Sequence, residues 1–216
     1  FKDGDQILDG SGELVLNDYL KNRVYMYSYS DTLTHGENHT IGGSGRLLDN
    51  NGNMLNNGTI LATGDNYELI IDPRSTFSNS GTLRAEGAAG LKLTNGNFVL
   101  NDTTVEVSDG SKLIVASNAV VKDGTLQSSG SGQVIAEDNS SFDNVTIDNG
   151  TTVTHQATDD VEIQNGLTNN GTWNMDGDTG SAANTILRFK DGDQILDGSG
   201  ELVLNDYPKN RVYMYS

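Results

Sequence analysis

Apolar residues in this chain fall into short alternating runs rather than helical stripes. ELVL (13–16), RVYMYSYS (23–30), YELII (67–71), LKL (91–93), NFVL (97–100), TVEV (104–107), KLIV (112–115), QVIA (133–136), NVTI (144–147), VEI (161–163) and TWNM (172–175) are the clearest of them. Many of their residues are β-branched, and Asn-Gly, Asp-Gly or Ser-Gly pairs punctuate them, which is the pattern of short strands joined by tight turns. No stretch sustains helical spacing over three turns. The pattern predicts an all-β chain.

A shorter repeat runs through these strands. Aligning on Gly58, Gly81, Gly124 and Gly171 superposes MLNNGTILA, FSNSGTLRA, VVKDGTLQS and LTNNGTWNM. An apolar residue stands four before the glycine and Thr follows it. Ile60, Leu83, Leu126 and Trp173 come at plus two, and Ala62, Ala85, Ser128 and Met175 at plus four. Leu61, Arg84, Gln127 and Asn174 lie between them, so strand alternation turns plus two and plus four inward and plus three outward. VLNDTTVEV (99–107) fits with Thr103 in place of glycine, and FDNVTI (142–147) is a slightly shortened copy. The anchors near 58, 81, 103 and 124 therefore recur at a nearly constant step.

A step of about 21–24 residues, without helices, suits one rung of a parallel β-solenoid, whose backbone edge and inner face stay unsatisfied until another rung stacks on them. Asn56, Asn79 and Asn169, two before the glycine, are placed to form a ladder of side-chain amides. The competing arrangement is a string of β-sandwich modules. Those pair strands antiparallel and usually carry a larger aromatic core than five Phe and one Trp supply.

The opening stretch 1–28, FKDGDQILDGSGELVLNDYLKNRVYMYS, returns at 189–216 with one change, Leu20 becoming Pro208. This near-identity at an offset of 188 predicts a longer tandem array. On that reading 1–188 is one period of eight to nine such rungs, and 189–216 begins the next as a continuous solenoid. At about 4.8 Å between neighbouring strands, one period adds roughly 40 Å of rod.

Charge and composition narrow the partners. With 13 basic and 30 acidic residues the net charge is −17, which argues against nucleic acid and anionic membrane surfaces as partners, since both call for basic patches. There is no Cys, so neither a disulfide framework nor a thiol site is available. No apolar run nears the roughly 18 residues of a membrane span.

The repeats also carry a resemblance. NNGTILATG, NSGTLRAEG and NNGTWNMDG resemble the Gly-Thr-centred strand repeats of bacterial filamentous-haemagglutinin-like and autotransporter-type adhesins. The resemblance implies a right-handed parallel β-helix and a place at the cell surface or outside the cell. It carries over no catalytic residue and no cofactor.

Candidate chemistry is sparse. β-helices also serve polysaccharide lyases and hydrolases, which set paired carboxylates on one exterior face. A carbohydrate-active β-helix and a phage tail fibre are therefore the alternatives to an adhesin. The DGD strings offer Asp3, Asp5, Asp176 and Asp178 as calcium candidates, although such residues serve turns more often than metals. Seven Asn-x-Ser/Thr sequons, at Asn38, Asn57, Asn101, Asn139, Asn144, Asn149 and Asn170, lie at turn signals.

The most informative local feature is a tyrosine cluster. In 23–29, Tyr25, Tyr27 and Tyr29 share one side with Arg23 while Val24 and Met26 take the other. With Val24 and Met26 inward, three rings project together as an interaction patch for another copy, a carbohydrate or a cell surface. The duplicated string repeats most of this patch once per period. The expectation is a structural, non-enzymatic segment of an extracellular adhesin or matrix filament that self-associates through its repeats.

Overall fold

The computed structural model describes residues 4–176, 183–190 and 192–214. Its described residues form strands and turns with no helix, and every strand pairing is parallel. The chain winds as a β-solenoid with three strands to the turn. The first face stacks Gln6–Leu8, Thr32–His35, Asn53–Asn56, Thr76–Asn79 and Asn97–Val99. The second stacks Glu13–Leu16, Thr40–Gly43, Thr59–Ala62, Thr82–Ala85 and Thr104–Val107. The third runs from Arg23–Val24 through Gly45–Leu47, Leu69–Ile71, Leu91–Thr94 and Lys112–Ala116.

Farther along, one strand covers two faces. Val120–Ser128, Ser141–Ile147 and Asp160–Asn169 each cross from the first face to the second. They bend at Asp123, Asn144 and Asn165, all with positive φ. Short Asn and Asp side chains tolerate that left-handed backbone, which is why these residues turn the corner. The third face continues through Gln133–Ala136, Thr152–His155, Thr172–Met175 and Glu201–Leu204.

Stacking aligns equivalent residues into columns. On the first face Leu33 is followed by Met54, Phe77, Phe98, Val121, Phe142 and Ile163, one to each turn at a nearly even spacing. All seven are at most 2% exposed. Each such side chain contributes about 2 kcal/mol by leaving water, and Phe77 against Phe98 adds a tilted ring contact at 5.7 Å. Turns near the ends are longer than the expected step, with Gln6 pairing to Leu33, Ile163 to Phe189 and Phe189 to Met214.

The Gly-Thr template is borne out with two corrections. Ile60, Ala62, Leu83, Ala85, Leu126, Trp173 and Met175 are all fully buried, while Leu61, Arg84, Gln127 and Asn174 face outward. At the third anchor, however, the inward residue is Val121 rather than Val120, because the corner there is shorter. More consequentially, the four anchors do not share one corner. Gly58, Gly81 and Gly124 precede the second face, whereas Gly171 precedes the third.

The amide ladder is present. His35 Nδ1 meets Asn56 Oδ1 at 2.6 Å, Asn56 Nδ2 donates to Asn79 Oδ1 at 2.6 Å, and Asn79 Nδ2 donates to Thr103 Oγ1 at 2.8 Å. Since Asn56 already commits its amide protons to Asn79 and Thr82, its Oδ1 accepts from His35. Asn169, expected in the same ladder, stands apart from it at the other corner and bonds backbone groups instead, accepting from Gly171 N and donating to Glu201 O. Glycine follows these asparagines because the turns approach closely: a Cβ on Gly81 would run into the Gly58 carbonyl, and one on Gly171 into that of Thr151.

The two copies of the duplicated string occupy different faces. Glu13–Leu16 lies on the second face beside Thr40–Gly43, while the identical Glu201–Leu204 lies on the third beside Thr172–Met175. Arg23–Val24 is on the third face and Asn210–Met214 on the first. Leu8 stacks on the first face and its counterpart Leu196 on the second. One offset of 188 positions therefore spans eight turns and one additional face.

Candidate interaction surface

The tyrosine segment leaves the third face at its first turn. RVYMYSYS is not one strand: only Arg23–Val24 pairs, and 25–31 rounds the corner toward Thr32–His35. The alternation nonetheless holds. Val24 and Met26 are buried, while Tyr25, Tyr27 and Tyr29 are 45%, 72% and 63% exposed. Met26 enters the core over Gly52, whose φ of 83° and missing side chain make room for it. The anchor beneath the rings is thus apolar packing, and the rings rim a corner instead of lining a flat strand.

Charged residues from later turns complete this corner. The Arg74 guanidinium lies 5.1 Å from the centre of the Tyr29 ring, a cation–π contact. Arg23 pairs with Asp49 at 2.9 Å, and Arg46 bridges Asp49 and Asp72 at 3.3 and 3.7 Å, so alternating charges climb the outside of the third face. Arg23 remains about half exposed beside the rings. At the end of the segment Ser28 and Ser30 exchange a hydroxyl contact at 3.2 Å, and Asp31 accepts from Gly4 N.

Tyr19 belongs to a different corner, between the second and third faces. It meets Tyr67 edge to face at 6.5 Å, both rings well exposed. Asp18 holds this pair in place. Its carboxylate accepts from Asn66 Nδ2 at 2.6 Å, Asn66 N and Tyr67 N at 3.0 Å, and Ser44 Oγ at 2.9 Å. Those bonds, led by the Asn66 side chain, pull its pKa down to about 2. Sequence reasoning pointed to neither Tyr67 nor Arg74 as part of a surface. The available signal was spacing, since Tyr67 lies two turns from Tyr19.

The two calcium candidates among the described residues, Asp5 and Asp176, stand near opposite ends of the stack and are not brought together. Asp5 Oδ1 caps the Thr32 amide at 2.8 Å in the first turn, and Asp176 Oδ1 accepts from Asn205 at 3.3 Å near the other end. Asp3 and Asp178 lie outside the described residues. Among the described residues no group of three or more His, Asp or Glu side chains is gathered to hold a metal ion. Several sequon asparagines, Asn101, Asn139 and Asn144, take positive φ at corners, which is turn chemistry.

Buried imidazoles serve the core. His155 stands in an inward column between Ala136 and Met175, its Nε2 donating to the Asp159 carbonyl at 3.1 Å. Burial pushes its pKa down to about 4. Burial also holds His35 below its ordinary range, and the His39 ring, its Nδ1 3.1 Å from His35 Nε2, adds a charge repulsion in the same direction.

No protein-family model, no curated protein and no solved structure matches the chain.

Proposed function

We propose that this chain is a structural length of an extracellular filament of the adhesin type, in which successive periods of 188 positions stack as one continuous rod. The observation that carries this reading is the join between period and repeat. Thr185–Phe189 and Leu196–Asp197 pair directly on Asp160–Asn169, and Glu201–Leu204 pairs on Thr172–Met175. The second copy continues the ladder on the turn before it. A chain so built grows along one axis, and pulling on it loads backbone pairing in every turn.

Its chemistry suits the same role. One period carries 10 basic and 25 acidic residues, a net −15, so rods repel one another except where a local patch engages. The corner bearing Tyr25, Tyr27, Tyr29 and Arg74 supplies that patch, combining rigid amphipathic rings with cationic groups that complement an acidic flank of another rod.

The test is a Tyr25→Ser/Tyr27→Ser chain. Circular dichroism should match the parent, because Val24 and Met26, which anchor the segment, are kept, while sedimentation of bundles or attachment to cells should fall several-fold. Unchanged bundling together with unchanged attachment would remove the patch from the account.

A further inference from the structure

We infer that each period turns the rod's decoration onto the next face, so that the tyrosine patch is presented in succession on all three sides for contact with neighbouring rods. The inference rests on the filament reading above and deepens it. Its ground is the placement of identical residues: Tyr25 follows the third-face strand at 45% exposure, and Tyr213, the same residue 188 positions later, projects from the first face at 39%. Both have inward neighbours of the same kind, Val24 and Val212, so the strand keeps its side while changing its face.

The shift has a physical origin in the corner chemistry. A glycine corner of this kind bonds its amides to carbonyls of the preceding turn, Gly81 N to Asn56 O and Gly200 N to Asn169 O, and otherwise needs only close approach there. It therefore works before either face. Thr82 N bonds Gly58 O before the second face, and Thr172 N bonds Thr151 O before the third. Gly12 of the first copy stands at the former kind of corner, its carbonyl accepting from Thr40 N. Gly200 of the second copy stands at the latter, stacked on Gly171. Two-sided inward alternation is preserved by a one-face shift, whereas a one-residue slip would turn every apolar side chain to water.

The consequence is geometric. Three periods, about 120 Å of rod at roughly 4.8 Å per turn, bring the patch back to its starting face. A rod whose patches all lay on one side would associate into pairs or flat ribbons. One whose patches step around the axis meets partners in three directions and bundles in depth. The partner is a second copy of the rod: net −15 per period confronts a patch that holds Arg74 and a half-exposed Arg23.

Engineered cysteines test the shift in the 216-residue chain, which has no thiol of its own. Glu13 pairs with Thr40, and its counterpart Glu201 with Thr172. Without the shift Glu201 would stack on Thr168, in the second-face threonine column. Neighbouring strands lie within the Cα range that a disulfide spans. Under mild oxidation E13C/T40C and E201C/T172C should bridge and E201C/T168C should not; bridging of E201C/T168C in preference to E201C/T172C would overturn the inference. In a chain of three periods, gold labels on cysteine at Tyr25 and its equivalents should step about 40 Å along the rod and one face around it. Labels confined to one side would overturn the rotation and leave the filament reading standing. Failure of the longer chain to form a rod would instead sink the filament reading, while the cross-links would still decide the shift.

Discussion

Asn56 donates its side-chain amide to Asn79 one turn away, at 2.6 Å and with both residues wholly buried. This bond sits inside a chain that begins at His39, passes through His35 and ends at Thr103, whose hydroxyl in turn donates to Leu100 O at 2.6 Å. A buried polar chain stabilises only when every member is satisfied. The His35–Asn56, Asn56–Asn79 and Asn79–Thr103 links each fix the register of one turn on the next.

Removing one link should therefore cost more than one hydrogen bond. Asn79→Ala leaves the Asn56 amide and the Thr103 oxygen short of a partner and should destabilise by about 2 kcal/mol. Asn79→Asp should be worse, because a carboxylate cannot donate to Gly81 O or Thr103 and would bring a charge where there is no exposure. Denaturant unfolding of both variants checks the order.

The aromatic column makes a second, more local prediction. Phe98 is fully buried between Phe77 and Val121. Phe98→Ala should cost about 3 to 5 kcal/mol. In a one-dimensional stack that loss is felt mostly by adjoining turns. Hydrogen exchange should accelerate first in Thr76–Asn79 and Val120–Ser128, with distant turns little changed.

His155 sets a pH dependence. Its folded pKa of about 4 lies below the ordinary 6.5, so the unfolded chain takes up a proton that the folded chain refuses. The folded state is fully favoured above 6.5, loses stability as pH falls toward 4, and gains no further slope from this group below that. The span corresponds to about 3 kcal/mol at roughly 1.36 kcal/mol per unit. His155→Met, between Ala136 and Met175, should flatten the difference in stability between pH 7 and pH 4 relative to the parent, measured by urea unfolding at both.

The single difference between the two copies has its own test. Asn22 N donates to Tyr19 O at 3.2 Å, and Asn210 N to Tyr207 O at 3.2 Å, so both copies make the same tight turn. Pro208 takes the second position, where its fixed φ fits. Leu20→Pro should therefore raise stability by about 0.5 kcal/mol through the unfolded chain. A drop in melting temperature would show that the first copy makes a different turn.

Much of this fold was legible in the sequence. The even step between anchors and the inward Ile60, Leu83 and Leu126 follow from alternation, and alternation is what a stacked turn requires. The side of Tyr25, Tyr27 and Tyr29 was legible for the same reason. What escaped was position around the axis. Gly171 reads like Gly58 because both obey the same local backbone chemistry, and nothing local distinguishes one corner from another. Tyr67 and Arg74 escaped because their partnerships with Tyr19 and Tyr29 arise between turns. The loss of strand after Val24 reflects the corner that the next face imposes, which strand propensity in VYMYSY does not reveal.

The most direct test of the account compares the 216-residue chain with one lengthened by a further period, using small-angle X-ray scattering. Continuous stacking predicts a maximum dimension greater by about 40 Å at an unchanged cross-section. A wider cross-section, or a distance distribution with two separate bodies, would contradict it.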